Sequence, residues 1–211
     1  MGVITNQQPE IQRVGRFTVR IPTIADIDKL LYVENRAWAE DQAFKREHFE
    51  SQITTFPEGL RLVEYQGHPV ANGVTEILNY DLKCPIATWE QATDNGFIRN
   101  HNPFGDTLYG VSLSVVPRSE WRVGPLLVAM AKKATVEMGL KRLVLGSRIP
   151  RFHRFSGTIE EYLDLENDGK KCRDPELRFY MRNGFRIVCP LPGYFPDAES
   201  RDYGVLIAWD T

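Results

Sequence analysis

Only three of the 211 residues are cysteine, at positions 84, 172 and 189. An odd number at unrelated spacings excludes a disulfide framework and fits no zinc-ligand pattern. A reduced, cytoplasmic setting is therefore the expectation. Long apolar runs are also missing: nothing approaches the roughly 20 residues that cross a bilayer, so no membrane partner is expected. The stretch Met1–Pro9 has no charged segment leading into an apolar one, so no secretory leader is expected. Asn6 stands where a myristoylation signal carries Ser or Thr, which sets that modification aside. Internal repeats and low-complexity tracts are absent as well.

The chain does hold enough apolar residue, 42%, for a globular core, and its length suits one large domain or two small ones. Net charge is −2, but unevenly spread. Residues 118–186 carry fifteen Lys/Arg against nine Asp/Glu, and the remainder eleven against nineteen. The plain reading is ordinary surface variation. The functional reading is a positive field around an anionic ligand.

Residues 1–15 read as a loose polar arm. Arg16–Ile21 alternates and is rich in β-branched residues, so it reads as a strand. Pro22 ends it, and Thr23 caps a helix from Ile24 whose apolar face holds Ile27, Leu30, Leu31 and Val33/Glu34. A second helix covers Lys45–Ile53 and stops at Phe56-Pro-Glu-Gly59. Leu60–Tyr65 and Val70–Leu78 form a hairpin across residues 66–69. Residues 80–107 read as a long loop holding a short helix, and loops of that length are usually functional. Leu108–Pro117 is a strand, Pro125–Met138 a helix and Leu140–Leu145 a strand. Residues 146–173 form a second long connection with a capped helix at Thr158–Leu165. Asp174-Pro175 opens a further helix that Gly184 stops. Phe185–Cys189 and Tyr203–Trp209 are closing strands. This order describes an α+β fold with a mixed sheet, in one domain over residues 16–211.

The segment from Leu108 to Leu145 carries most of the functional content. A strand feeding a helix through a tight polar turn leaves free N–H groups at the helix N-terminus, which attract an anion, commonly a phosphate.

Four stretches share a pattern with a known family. They are Pro22-Thr-Ile-Ala-Asp-Ile-Asp-Lys-Leu-Leu31, Leu113-Ser-Val-Val-Pro117, Gly139-Leu-Lys-Arg-Leu-Val-Leu145 and Phe179-Tyr-Met-Arg-Asn-Gly-Phe185. In order and spacing the chain resembles the GNAT family of N-acetyltransferases over residues 16–209. Phe56-Pro-Glu-Gly59, Gly146-Ser-Arg-Ile-Pro150 and residues 174–209 resemble the subgroup joined to nitrilase-like amidohydrolases. The resemblance implies an α+β fold with a mostly antiparallel sheet, a splayed central strand pair and flanking helices. It implies acyl transfer from a thioester, acyl-CoA (acetyl-CoA) first, to an amine by direct attack, without metal. The donor's pantetheine arm would lie along Leu113, Ser114, Val115 and Val116, with the Val115 amide meeting the thioester carbonyl. Its pyrophosphate would sit on Arg118, Arg122, Val123, Gly124 and Leu126.

Two departures from the family pattern bear on this. Read back from Gly124 the turn is Ser119-Glu-Trp-Arg-Val-Gly124, so Arg122 replaces a glycine, Ser119 replaces the leading Arg/Gln, and Pro125 removes an amide donor. A turn that packs Trp121 and binds nothing is the bland alternative. Ser112 stands where relatives carry the glutamate that takes the amine's proton. Glu76, His101 and His153 are the substitutes in view. Tyr180 matches the general acid that protonates the departing thiolate, a task suited to a phenol of ordinary pKa near 10. Its plain role would be packing.

Trp38 and Arg148-Ile-Pro-Arg-Phe-His-Arg154, with Arg148, Arg151 and His153, are the expected acceptor side. The plain alternative is a solvated loop paired with acids in 160–168. An acyl-carrier protein or an aminoacyl-tRNA as donor, a homodimer, and a non-catalytic ligand-sensing or scaffolding domain remain open alternatives.

Overall fold

The computed structural model describes residues 11–117, 122–167 and 172–211. Its strands are β1 (Gln12–Val14), β2 (Phe17–Arg20), β3 (Leu60–Tyr65), β4 (His68–Leu78), β5 (Thr107–Val115), β6 (Arg142–Ser147), β7 (Arg186–Leu191) and β8 (Gly204–Asp210). Its α-helices are α1 (Ile27–Ala37), α2 (Arg46–Thr55), α3 (Trp89–Thr93), α4 (Gly124–Glu137), α5 (Ile159–Glu166) and α6 (Pro175–Arg182). The strands form one eight-stranded sheet in the order β1-β2-β3-β4-β5-β6-β8-β7. β5 and β6 run parallel, whereas β1–β2, β2–β3, β3–β4, β6–β8 and β7–β8 are antiparallel. The chain divides into two compact units, Met1–Val74 with Ser112–Leu127, and Thr75–Val111 with Val128–Thr211.

In the first unit, Gln12–Val14 lies within the expected polar arm but forms a strand. Gly15, at φ +57°, turns the chain so that Val14 faces Phe17. Residues 1–10 of that arm lie outside the described residues. The β3–β4 hairpin closes on two residues, Gln66 (φ +51°) and Gly67 (φ +81°), so that Tyr65 pairs with His68. Two positive φ values mark the turn whose twist suits a hairpin. The main chain of Thr23 and its hydroxyl both donate to Asp26 Oδ2, at 2.9 and 3.0 Å. A single 3-10 turn at Ile24–Asp26 therefore precedes α1. Arg20 grips both oxygens of Asp26 and holds that carboxyl down at about 2. α1 buries Ile27, Leu30, Val33 and Glu34 on one face.

In the second unit β8 is central, pairing with β6 over six residues and with β7 on its other side. The β5–β6 ladder covers three pairs, Thr107–Tyr109 against Arg142–Val144. Both strands run on past it, β5 to Val115 and β6 to Ser147. α5 starts at Thr158, whose hydroxyl accepts from the Glu161 amide while Glu161 accepts from the Thr158 amide. α6 starts at Asp174, which accepts from the Glu176 and Leu177 amides. The Tyr162 hydroxyl and the Arg151 amide also donate to Asp174, at 2.9 and 3.2 Å. Glu166 accepts from the Asp174 amide. Pro175 fills the first helical position, where its missing N–H costs nothing.

Candidate active site

The first unit builds a buried polar chain beneath β5. Ser112 and Ser114 are two residues apart, so they project from the same face of the strand. Their Oγ atoms stand 3.3 Å apart. Ser114, fully buried, accepts from Trp38 Nε1 at 2.7 Å and donates to Glu34 Oε2 at 2.8 Å. The Phe44 amide donates to Glu34 Oε1 at 3.3 Å. Burial, set against these hydrogen bonds, raises the Glu34 carboxyl above its ordinary value. Trp38 and Ser112, expected on the acceptor and catalytic sides, are thus joined through Ser114. Glu34 was not among the expected site residues. Its only sequence signal is a carboxylate seven residues after Ile27, on a face that is otherwise apolar.

The other described residues expected on the donor side lie at the end of β5 and the start of α4. Leu113 and Val115 are half-buried and Val116 is buried. The Val116 amide donates to Val70 O on β4 at 3.0 Å. Consecutive strand residues direct their N–H groups to opposite edges, so the Val115 amide faces the edge away from β4. Arg118, Ser119 and Trp121 lie outside the described residues. Arg122 is exposed at φ +40°, a conformation a glycine would adopt freely. Val123 is buried and its carbonyl accepts from Leu127, so α4 begins at Gly124 rather than Pro125. Gly124 and Leu126 are half-buried.

Tyr180, in the second unit, sits on α6 with 9% exposure, edge-on to Phe179 and Phe185 at 4.9 and 5.5 Å. Burial, with a smaller push from Glu176 one turn earlier, raises its phenol well above the ordinary value. The hydroxyl thus stays protonated near neutral pH. Burial pushes Glu176 itself up to about 7, against the pull of Arg148.

Glu76 is fully buried on β4, with neither carboxylate oxygen hydrogen-bonded among the described residues. Burial first, then the charge of Asp94, lifts it to about 8. Nearby, Tyr80 stacks on Tyr109 at 5.6 Å, and the hydroxyls of Tyr109 and Tyr194 are hydrogen-bonded. His101 Nδ1 accepts from the Ile77 amide at 3.1 Å, which commits that nitrogen to the backbone.

The expected basic acceptor segment is tied down internally. Arg148 makes a two-point pair with Asp197, at 2.9 and 3.0 Å, and approaches Glu199 and Glu176 at 3.5 and 3.9 Å. His153 Nδ1 lies 3.0 Å from Pro150 O and 3.1 Å from Glu199 O. Arg151 is exposed. Among the described residues, the acids that meet Arg148 are Glu176, Asp197 and Glu199 rather than those of 160–167. No cluster of three metal-ligating His, Cys, Asp or Glu residues occurs among the described residues.

No family model matches the chain. It is 34% identical over 205 residues to "Uncharacterized N-acetyltransferase YkwB" of Bacillus subtilis, covering 91% of this chain and 88% of that protein. The chain belongs to the GNAT family of N-acetyltransferases. A second relative, "Probable hydrolase YhcX" of B. subtilis, is 32% identical over 189 residues, which are 88% of this chain but only 37% of that protein.

Among solved structures, the loading GNATL domain of CurA from Lyngbya majuscula superposes with TM-score 0.80 at 23% identity, covering 92% of this chain and 97% of that one. The GphF GNAT-like decarboxylase in complex with isobutyryl-CoA gives 0.76 at 25%, covering 91% and 98%. The mixed, mostly antiparallel sheet with its parallel β5–β6 pair is the GNAT fold. In this GNAT chain the expected glutamate of β5 is Ser112, backed by Ser114 and Glu34.

Proposed function

We propose that the chain transfers an acyl group from acyl-CoA to the amine of a small molecule by direct attack through a tetrahedral intermediate, residues 16–211 acting as one acyltransferase domain. The observation that carries this reading is the polarity of the β5 edge. With the Val116 amide committed to Val70, the Val115 amide is left for the thioester carbonyl, where a preset donor stabilises the developing oxyanion. The main chain at Leu113, Ser114 and Val116 would line the pantetheine arm, with the Ser114 hydroxyl turned to Glu34. Arg122, the Val123–Gly124 start of α4, Leu126 and Arg118 would take the pyrophosphate.

Tyr180 protonates the thiolate as the carbon–sulfur bond breaks. Ser112 and Glu76 are the groups considered for the amine's proton. Trp38, Arg151 and His153 remain on the acceptor side. Arg148, held by Asp197, shapes that side more than it grips a ligand.

The 32% identity to the probable hydrolase YhcX, over only 37% of that longer protein, supports a subgroup joined to hydrolases, of which the nitrilase-like amidohydrolases are the expected kind. The three cysteines, none in a disulfide, support a reducing, cytoplasmic setting. A second reading, loss of carbon dioxide from a carboxylated acyl-CoA before transfer, is favoured by one finding, the GphF decarboxylase among the neighbours.

The test is Tyr180→Phe, assayed with acetyl-CoA and malonyl-CoA side by side. We expect kcat with acetyl-CoA to fall by about 100-fold or more while donor KM is unchanged. Unaltered turnover would remove Tyr180 from the reaction. Carbon dioxide released from malonyl-CoA by the unmodified protein would move the second reading ahead.

A further inference from the structure

We propose that Ser112, Ser114 and Glu34 form a proton relay that carries the attacking amine's proton from Ser112 through Ser114 to the Glu34 carboxylate, with Trp38 fixing Ser114 in place. The relay rests on the acyl-transfer reading.

The hydrogen bonds decide its direction. A hydroxyl has one proton and two lone pairs. Ser114 donates its proton to Glu34 at 2.8 Å and accepts from Trp38 Nε1 at 2.7 Å. Only one lone pair remains, so the 3.3 Å contact with Ser112 has Ser112 as donor. That leaves the Ser112 lone pairs for the amine. The contact exceeds the usual O–H···O range of about 2.5–3.0 Å, and such contacts tighten in the reacting complex.

As the nitrogen–carbon bond forms, the amine sheds one proton to Ser112. Ser112 hands its own to Ser114, and Ser114 hands its own to Glu34 Oε2. Both serines end neutral and Glu34 ends as the acid. The carbon–sulfur electron pair leaves with the thiolate, which Tyr180 protonates. Before the next turnover Glu34 returns its proton along the same path to solvent at Ser112, and solvent reprotonates the Tyr180 phenolate.

Serine alone is too weak a base near neutral pH, and the relay supplies the missing carboxylate at one remove. The groups facing Glu34 are neutral: Ser114 from β5, Asn72 from β4 and the Phe44 amide after α1. Burial among them strengthens Glu34 as an acceptor. Glu34 touches no substrate. It is a positioning residue for protons, acting through two hydroxyls.

The experiment uses acetyl-CoA with ethylamine, phenethylamine and spermidine as probe acceptors. Glu34→Gln, Ser114→Ala and Ser112→Ala should each lower kcat by about 100-fold without changing the acetyl-CoA KM. Ser112→Thr, which keeps the hydroxyl, should restore turnover. The acidic limb of kcat/KM against pH should vanish in Glu34→Gln, a change that loss of packing alone would not produce.

A wild-type pH profile in Glu34→Gln, together with full activity in Ser112→Ala, overturns the relay and leaves acyl transfer standing. So does loss of the acidic limb in Glu76→Gln with its retention in Glu34→Gln. If the unmodified protein transfers acetyl to none of the amines, the acyl-transfer reading fails and takes the relay with it.

Discussion

Two carboxylates, Glu34 and Glu76, are buried to about the same degree and surrounded in opposite ways. Glu34 has its oxygens occupied by Ser114 and the Phe44 amide, whereas Glu76 has none occupied among the described residues. An unmatched buried charge is costly, so Glu76 holds its proton up to about 8 from an ordinary 4.5. Asp94 and Tyr109 are the titratable groups that feel it. The folded state therefore binds this proton more tightly than the unfolded chain. Its contribution to stability is complete below 4.5 and is lost as pH rises to about 8. Glu76→Gln, always neutral, should gain Tm over the unmodified protein across that window and hold the gain above it. Melting curves that stay parallel from pH 4 to pH 9 would refute this. At this scale Tyr180 and Ser112 were visible in the sequence as candidates, because each sits inside a spaced motif. Glu34 was not, because periodicity assigns its position to a core face, and what satisfies it comes from β5, far along the chain.

Secondary elements were legible where the chain carries its own punctuation. The Gln66-Gly67 turn, the Thr158 and Asp174 caps, Pro175 at the first position of α6 and Gly184 after it all act locally, and the elements stand within a few residues of their expected bounds. Gln12–Val14 escaped because its pairing needs only Gly15 and a partner strand, and its polar side chains leave no pattern. β6 illustrates a constraint that sequence conceals. A Cβ at Gly146 would come within 2.2 Å of the Tyr194 ring, and one at Gly204 on β8 within 2.5 Å. Tyr194 is fully buried and bonded to Tyr109, so it has no room to retreat. Gly146→Ala should cost about 2–3 kcal/mol by overpacking. That corresponds to a Tm lowered by about 4–12 °C for a chain this long. An unchanged melting temperature would show that the ring moves freely.

For the molecule as a whole, the fold was legible from element order because a parallel pair needs a long crossover, and α4 between β5 and β6 supplies one. The position of β8 between β6 and β7 was not, since both terminal strands read alike and only pairing separates them. The uneven charge bears on the donor. Under the proposed function, the basic stretch at 118–186 suits a donor that carries phosphates. CoA at a hundred times its Kd should stabilise the protein by about 2.7 kcal/mol, and pantetheine, which lacks the pyrophosphate, by much less. A shift with an acyl-carrier protein or aminoacyl-tRNA, and none with millimolar CoA, would replace the donor. One anchor carries a further consequence. Asp174 ties the first turn of α6 to Arg151, Tyr162 and Glu166, so these three residues help fix the helix that carries Tyr180. Under the proposed function, grafting the stretch between β6 and α6 from a relative to change acceptor preference would also shift the proposed acid, and such chimaeras should inherit their donor's turnover rate along with its selectivity.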